Sequence, residues 1–452
     1  MPELDIVIGG GHVVTARDVL RTDIGIQQGR IVTFGENLGD ANIETIDAAG
    51  LHIFPGVIDA HVHFNEPGRD DWEGLETGTR ALVAGGGTVF FDMPLNSHPP
   101  LLNVGAFDAK RERAARAGAD FAFWGGLTPD NLDDLEGLAD RGVIGFKAFM
   151  CDSGIEEFPA ADDQTLYVGM KIAAELGLPV AVHAESDALT RQLTTERLAH
   201  GLTSIRDWLE SRPIEAELQA IRQALVIAAE SKCKLHIVHI SCGEGVALVA
   251  AARQRGVDVS CETCPHYLTL TEDDIFGLGG VAKCSPPLRP QMVQDDLWSE
   301  LQAGRINTIG SDHSPSLPEM KVGDDFFKIW GGIAGVQHTL PLLISEGYHK
   351  RQLDLSSIAR LTSHNVAMRF NLAPEKGGIK IGAEADLAFV DLNAEHEVKR
   401  WELLNRHPIS PYAGRRLRGQ VMRTMIFGRT VFLDGKIVST GGGRLLKPAR
   451  NA

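Results

Sequence analysis

The sequence predicts an α/β fold in which a TIM-like (β/α)8 barrel is joined to a second, smaller β-sandwich domain formed from both chain termini. Three observations lead to this prediction. The chain has 452 residues, 43% of them hydrophobic, which is enough apolar material for a large core. Its middle alternates apolar strand-like runs with amphipathic helical stretches, as parallel β/α units do. Short strand-like segments separated by turn residues occupy both ends.

The first 50 residues contain short extended segments broken by turn residues. These segments are LDIVIGG, HVVTA, TDIGIQQGR, IVTFG and NIETIDAAG. A second strand rather than a helix follows Gly9, Gly10 and Gly11, so we interpret these glycines as a hairpin turn and not as a phosphate-binding loop. A β-rich opening is therefore expected.

Residues 53–372 form the predicted barrel. The strand candidates are FPGVIDAHVHF, GTVFFDMP, FAFWGGL, VIGFKAFM, LPVAVHAE, KLHIVHIS, DVSCETC and INTIGSDH. Between them lie amphipathic helices, for example from Glu215 to Ser231 and from Gly245 to Arg255, with polar residues on one side only. Eight runs are the number that a closed barrel requires.

Strand-like segments appear again after about residue 375; they are GGIKIG, ADLAFVDL, VMRTMIFG and TVFLDGKIV. The two chain ends share this character, so we expect residues 1–52 and 373–452 to pair into one composite β-sandwich domain. The Gly-rich, basic tail after Ser439 is expected to be loosely held.

The charge of the chain limits its partners. Forty-four Lys and Arg against 60 Asp and Glu give a formal net charge of -16, which repels phosphate backbones and anionic lipids. The opening MPELDIVIGG lacks the features of a secretory signal, and the chain has no apolar run of about 18 residues. We expect a cytoplasmic protein that binds neither nucleic acid nor membrane.

Six cysteines in so long a chain do not indicate a disulfide framework. The closest pair, Cys261 and Cys264, lies in a strand-like run, where residues three apart point to opposite faces. Structural thiols are therefore favoured over a zinc or redox site.

The strongest local signal is His61-Val62-His63, directly after the apolar run FPGVID. Residues two apart on a strand project to the same side, so the two imidazoles share one site. At the carboxyl end of a barrel strand that site faces the mouth, where barrel enzymes place their chemistry. Alone, such a pair also fits purely structural histidines.

Four more candidate metal ligands sit at or near the ends of separate later strands: Lys147, His183, His239 and Asp312. Each buried polar group costs free energy unless it is paired, so six of them on five strand ends favour a shared metal site. Asp312 could instead cap a local turn in SDHSP. Hydrolysis, however, needs a hydroxide made at neutral pH and a group that moves its proton, and an aspartate beside a metal supplies the second.

Lys147 lies within the apolar run VIGFKAFM. It could reach the barrel rim as an ordinary snorkelling lysine. Two neighbouring cations would instead lower its pKa and favour the neutral amine, which can react with carbon dioxide to give an anionic carbamate. Such an N6-carboxylysine would act as a carboxylate-like bridge between two metals.

The spacing of two further residue pairs selects among candidates. His236 and His239 are three apart, so only one is expected to face the mouth; we select His239 and expect His236 to pack under a helix. Similarly, His313 is expected to point away from the side that Asp312 faces.

Together these residues resemble the amidohydrolase superfamily, specifically its cyclic-amide branch of dihydroorotases, dihydropyrimidinases, hydantoinases and allantoinases. The resemblance spans nearly the whole chain. The segments that carry it fall in the family's order: PGVIDAHVHF, GFKAFM, VAVHAE, LHIVHIS, ETCPHYL, KCSPPLR, IGSDHSP and GGIKIGAEADL.

The resemblance implies a centre of two divalent metal ions, usually zinc, with iron, manganese or cobalt as substitutes. It implies that His61 and His63 bind one ion, that His183 and His239 bind the other, and that carbamylated Lys147 bridges them. Asp312 would ligate the first ion and act catalytically, carrying the proton as a metal-bridging hydroxide attacks the ring carbonyl. It also implies a homo-oligomer, a tetramer or a dimer.

Within the branch, departures matter as much as matches. Asn65 replaces the arginine with which dihydroorotases read a carboxylate, and Asp152 stands where dihydropyrimidinases and many hydantoinases have a tyrosine. The segments EPGRDDWEG, MPLN, SDHSP and WGGIAG instead resemble allantoinases, which implies hydrolysis of the hydantoin-ring amide of allantoin to allantoate in purine catabolism. By the same resemblance, Ser285 and Gly332 would contact the ring amide through their backbones, with Asn96 as a further substrate contact.

Two alternative functions differ in what they require. Another cyclic amidohydrolase, such as a hydantoinase, dihydropyrimidinase or dihydroorotase-like enzyme, would keep the site and change the ring that it accepts. A non-catalytic scaffold relative would be expected to lose ligands, and all six are present here. Mobile loops around residues 151–163 and 316–328 are expected to shape the pocket.

Overall fold

The structure, a computed structural model, describes residues 3–39 and 43–449. The strands are β1 Ile6–Gly9, β2 His12–Val14, β3 Val19–Arg21, β4 Asp23–Gln27, β5 Arg30–Gly35, β6 Glu44–Asp47, β7 His52–Pro55, β8 Val57–Val62, β9 Gly87–Asp92, β10 Asp120–Gly126, β11 Gly145–Phe149, β12 Val180–His183, β13 Leu235–Ile237, β14 Val259–Thr263, β15 Thr308–Ile309, β16 Leu387–Glu397, β17 Arg416–Ile426, β18 Arg429–Leu433 and β19 Lys436–Ile437.

Fourteen α-helices are present in the described residues, with short 3-10 and π-helical turns among them. The α-helices are α1 Leu75–Ala84, α2 Val104–Arg113, α3 Leu135–Arg141, α4 Asp163–Glu175, α5 Asp187–Ala199, α6 Ile205–Glu210, α7 Ile214–Ser231, α8 Gly243–Gln254, α9 Pro265–Thr269, α10 Glu272–Leu278, α11 Gln291–Gln302, α12 Thr339–Leu342, α13 Leu355–Ala359 and α14 Asn365–Arg369. Within residues 3–39 and 43–449, no helix is both long and apolar enough to cross a membrane.

Strands β8 to β15 form an eight-stranded parallel sheet in which each strand pairs with the next one along the chain. A parallel bridge between Val62 and His313, with the His63 N–H donating to the His313 carbonyl at 2.7 Å, joins the last strand to the first. The barrel is thereby nearly closed. All eight predicted strands are present, and α7 and α8 match the two helices predicted around residues 215–231 and 245–255.

Two further sheets come from the chain ends. One has the order β5-β4-β1-β6, and the other has the order β19-β18-β17-β16-β7-β2-β3. In the second sheet β7 pairs antiparallel with β16, so the two ends do pair as expected. An apolar cluster with members from both sheets, including Ile8, Ile26, Ile53 and Phe389, fills the space between them.

Several expectations for the termini are wrong. Strands β1 and β2 belong to different sheets, so the glycines between them carry the chain from one sheet to the other rather than closing a hairpin. The segment GGIKIG is not a strand, whereas the exposed segment β3 is one although its sequence gives no alternating signal. The described part of the tail is firmly held, because Arg444 pairs with Asp120 and with Glu384.

Candidate metal centre and substrate pocket

The six candidate ligands converge at the carboxyl end of the barrel. His61 lies in β8 and His63 directly follows it, Lys147 lies in β11, and His183 is the last residue of β12. His239 and Asp312 follow the ends of β13 and β15. All six are at most 9% exposed, so the structure brings together every ligand candidate that the sequence suggested.

His61, His63 and Asp312 form the first cluster. Oδ1 of Asp312 lies 3.2 Å from Nε2 of His61 and 3.4 Å from Nε2 of His63. Burial alone would raise the pKa of the Asp312 carboxyl, but the surrounding imidazoles hold it well below its ordinary value. Two imidazole nitrogens and an ionised carboxylate that face one point are a donor set suited to a divalent cation.

His183 and His239 form the second cluster, with Nδ1 of His183 3.1 Å from Nε2 of His239. Nε2 of His183 already faces Oε2 of Glu185 at 2.8 Å, so the proton of this ring belongs on Nε2 and Nδ1 presents a lone pair. Burial lowers the pKa of both rings, that of His239 well below its ordinary value. Two neutral imidazoles meeting in this way are suited to share a cation.

Lys147 is fully buried, and its Nζ has no hydrogen-bond partner among the described residues. The amine lies 5.1 Å from the centre of the Phe149 ring, and burial lowers its pKa to about 8. An unpaired buried ammonium is costly, whereas a neutral amine is open to carbamylation. This orphaned amine, in contact range of two imidazole clusters whose nitrogens face each other, is the observation that fits a metal centre at this position.

The backbone departs from strand geometry where two ligands are placed. His239 and Asp312 have φ angles of 40° and 45°, in the left-handed region that side chains larger than glycine rarely adopt. His239 lines the pocket and His236 does not, as expected, but for this reason both imidazoles lie inside the barrel rather than on opposite faces of the strand. Nε2 of His236 lies 3.7 Å from Oε2 of Glu262 inside the barrel, and its ring packs on Phe370, directly after α14.

His313 does point away from the centre, as expected. Its Nε2 lies 3.4 Å from Oε2 of Glu73, and its Nδ1 accepts a hydrogen bond from the Gly335 N–H at 3.2 Å. These contacts place the ring between the segment that precedes α1 and the segment that precedes α12. Of the two neighbouring side chains, only that of Asp312 faces the metal candidates.

Two buried carboxylates that sequence reasoning missed hold the imidazoles in place. Nδ1 of His61 lies 2.8 Å from Oε1 of Glu262, which directs Nε2 of the ring toward Asp312. Glu185 holds His183, and Nη1 of Arg212 pairs with Glu185 at 3.0 Å. Burial would raise the pKa of each carboxyl, but these cationic and hydrogen-bonding neighbours lower it. The available signal was an acidic residue two positions after His183 and another on the inward face of β14.

A cavity of about 600 Å³ opens above the cluster. It is lined by five of the six ligand candidates and by all three expected substrate contacts, while Lys147 lies buried below. Asp152 also lines it, at the position where a tyrosine is common in related enzymes. Residues 152–154 and Asp325, Phe327 and Lys328 contribute to its lining, which confirms that both expected loops shape the pocket.

The three expected substrate contacts differ in what they can still bind. In the part of the chain that the structure describes, neither backbone group of Ser285 has a hydrogen-bond partner. Gly332 donates its N–H to the Lys283 carbonyl at 2.7 Å, so only its carbonyl, which can accept a second bond, is open to a ligand. Nδ2 of Asn96 donates to Oγ of Ser314 at 3.3 Å.

Comparison with known proteins agrees with this geometry. A sequence profile of the amidohydrolase family matches residues 52–438. The chain belongs to the amidohydrolase family. An allantoinase of Solibacter usitatus is 53% identical over 99% of this chain and 98% of its own length. An allantoinase of Rubrobacter xylanophilus is 52% identical over 100% of this chain and 99% of its own length.

Among solved structures, the L-hydantoinase (dihydropyrimidinase) from Arthrobacter aurescens superposes with a TM-score of 0.95. The two sequences are 31% identical, and the superposition covers 97% of this chain and 98% of the hydantoinase chain. Family membership confirms the resemblance drawn from the sequence motifs and implies a divalent metal centre in this barrel.

Proposed function

We propose that the protein hydrolyses the hydantoin-ring amide of allantoin to allantoate, a step of purine catabolism. The reaction class rests on one observation, the convergence of His61, His63, Lys147, His183, His239 and Asp312 at the base of a single pocket. The choice of ring is supported by the two allantoinases that are more than half identical over essentially the full chain.

We propose that the centre holds two divalent ions, zinc or one of its substitutes iron, manganese or cobalt. His61, His63 and Asp312 would hold one ion, and His183 and His239 the other, with carbamylated Lys147 between them. The short distances within each cluster and the orphaned amine support this division. When bound, such ions lower the pKa of water and polarise a carbonyl oxygen.

Asp312 is the proposed catalytic acid–base group. Its ionised carboxylate accepts the proton of the attacking water while the new C–O bond forms at the ring carbonyl carbon. The same carboxyl then donates that proton to the ring nitrogen, so that the C–N bond breaks and the ring opens. The low pKa of Asp312 keeps the acceptor form populated at neutral pH.

Backbone groups would orient the ring and its developing negative charge. Asp152 provides no hydroxyl where related enzymes have a tyrosine. The unpartnered N–H of Ser285 is a donor within the pocket, and the carbonyl of Gly332 is an acceptor for a ring N–H. Asn96 offers a further amide in the same pocket.

The test is a substrate panel of allantoin, hydantoin, dihydrouracil and dihydroorotate, given to protein expressed with zinc or manganese and bicarbonate. Preferred turnover of allantoin that is lost in Lys147→Ala supports both site and substrate. When zinc is added back to zinc-free protein, activity should recover faster with bicarbonate than in buffer freed of carbon dioxide, and Lys147→Ala should not respond.

A hydantoinase is the second candidate, because the fold superposes so closely on the Arthrobacter aurescens enzyme. Preferred turnover of hydantoin would establish it and exclude the allantoin proposal. No turnover of any ring by metal-loaded protein would favour a scaffold. A dimeric or tetrameric assembly is part of the proposal, and light scattering with size exclusion tests it.

A further inference from the structure

Residues 317–332, here called the pocket wall, form one side of the substrate cavity. Among them, Asp325, Phe327, Ile329, Trp330 and Gly332 line it. The wall contains only one short 3-10 turn, Pro318–Lys321, so regular secondary structure does not determine its shape.

Lys283 also lines the cavity, and it contacts the wall from a separate segment of the chain. Its Nζ donates to the carbonyls of Phe326 at 2.7 Å and of Ile329 at 2.5 Å, and it lies 5.0 Å from the centre of the Trp208 ring. The backbone carbonyl of the same residue accepts the Gly332 N–H at 2.7 Å. With a longer bond from Nζ to the Phe327 carbonyl at 3.5 Å, Lys283 contacts the wall at four points, and it precedes Ser285 by only two residues.

Lys321 is itself part of the wall and forms hydrogen bonds with two other residues of the wall. Its Nζ donates to the carbonyls of Trp330 at 3.0 Å and of Gly332 at 2.6 Å. Gly332 has a φ of 127°, and a Cβ there would lie 2.2 Å from the Ser314 carbonyl oxygen, so only glycine fits this approach. The two lysines therefore converge on Gly332, one through its N–H and the other through its carbonyl.

Both lysines are buried, at 5% and 6% exposure, and no carboxylate pairs with either within residues 3–39 and 43–449. Burial lowers the pKa of each to about 7. A buried ammonium without a counter-charge costs free energy that an apolar side chain would not. Such a cost fits a role in which the hydrogen bonds that the two lysines donate to the wall carbonyls are needed to hold the wall in one conformation.

We propose that Lys283 and Lys321 are positioning residues for substrate binding, which fix the carbonyl of Gly332 and the wall around it in the orientation that receives the ring amide. The proposal rests on the proposed function of the pocket. It predicts that the two side chains affect substrate affinity rather than the chemical step, because neither contacts the six candidate ligands.

The test compares Lys283→Met and Lys321→Met with Lys350→Met, which removes a 61% exposed lysine elsewhere. We expect KM to rise about tenfold in the first two variants with kcat nearly unchanged, as for loss of one oriented hydrogen bond. Trypsin should cut faster after Lys328, which is 83% exposed in the wall. The control should match the wild type in both measurements.

Lys321→Gln separates hydrogen bonding from packing, because its amide keeps two N–H donors without a charge; we expect a KM between those of wild type and Lys321→Met. It also serves if either methionine variant fails to fold. Unchanged KM and unchanged proteolysis, or a fall in kcat and bound metal with KM unchanged, would overturn the proposal. Proteolysis needs no substrate, and KM is measured with whichever ring amide the wild type hydrolyses, so failure on allantoin remains a separate result.

Discussion

Nδ1 of His61 and Oε1 of Glu262 lie 2.8 Å apart, although 201 residues separate them in the chain. This contact fixes the proton of the imidazole on Nδ1 and leaves Nε2 as the lone pair that faces Asp312. A ligand histidine whose second nitrogen is bound by a carboxylate is held in orientation and made more basic. Glu262 therefore orients His61 for binding a cation, although Glu262 itself does not line the pocket.

Glu262→Gln tests this relationship. The amide keeps the volume of the side chain but loses the negative charge, so zinc affinity and activity should fall about 10- to 100-fold. Zinc retained against a competing chelator is the primary measurement, with kcat/KM alongside. Glu76→Gln, which removes a surface partner of Arg80, is the matched control and should change neither. Full zinc retention in Glu262→Gln would contradict the role assigned to the contact.

Asp312→Asn separates proton transfer from metal binding. The amide can still offer an oxygen to a metal ion, but it cannot accept and return a proton at neutral pH. We expect kcat to fall about 10²- to 10⁴-fold, measured at saturating allantoin on protein whose bound metal has been quantified. A loss of activity that only mirrors a loss of metal would mean that Asp312 acts as a ligand alone.

The sequence was sufficient for the barrel and for the ligand set because both depend on short-range patterns. Apolar runs followed by a histidine, lysine or aspartate predicted eight strands and six converging side chains, and all are present. The same period-two reasoning failed for the pair His236 and His239, because the left-handed backbone of His239 turns its imidazole into the barrel, where that of His236 already lies. Local spacing carries no information about such a change in direction.

Long-range contacts account for the rest of what was missed. Glu262 reaches His61 and Arg444 reaches Asp120 only after folding, so no local pattern indicates either pair. The domain limits at 52/53 and 372/373, the ligand roles, the cytoplasmic location and the oligomeric state stay predictions.

Replacing Lys376, which does not line the pocket, should have a large effect on the free energy of unfolding. Its Nζ lies 2.6 Å from Asp120 in β10, 2.7 Å from Glu384 and 2.5 Å from Asp386, all buried. Lys376→Met would leave these carboxylates without their central cation, which should lower the free energy of unfolding by about 3–5 kcal/mol. Urea denaturation beside Lys350→Met measures it. A change under about 1 kcal/mol, the typical value for a surface pair, would contradict this assignment.

The pH dependence of stability tests the charge state of the two wall lysines. Burial lowers the pKa of Lys283 and of Lys321 to about 7, whereas an unfolded lysine keeps its proton up to about pH 10.5. Between these values the unfolded state binds more protons, so the free energy of unfolding should rise with pH. Each lysine contributes up to about 1.4 kcal/mol per pH unit in this window. Below pH 7 both states are protonated, and the contribution to the slope vanishes.

Urea denaturation of wild type, Lys283→Met and Lys321→Met at intervals from pH 7 to 9.5 measures this slope. The charged or titratable neighbours of Lys283 are Arg212, Lys321 and Asp325, and that of Lys321 is Cys284. All four remain in Lys283→Met, whereas Lys321→Met removes one neighbour of Lys283. Each methionine variant should therefore lose about 1.4 kcal/mol per pH unit from the wild-type slope. Equal slopes in all three proteins would mean that both ammonium groups keep their protons across this range, which would contradict the lowered pKa of Lys283 and of Lys321.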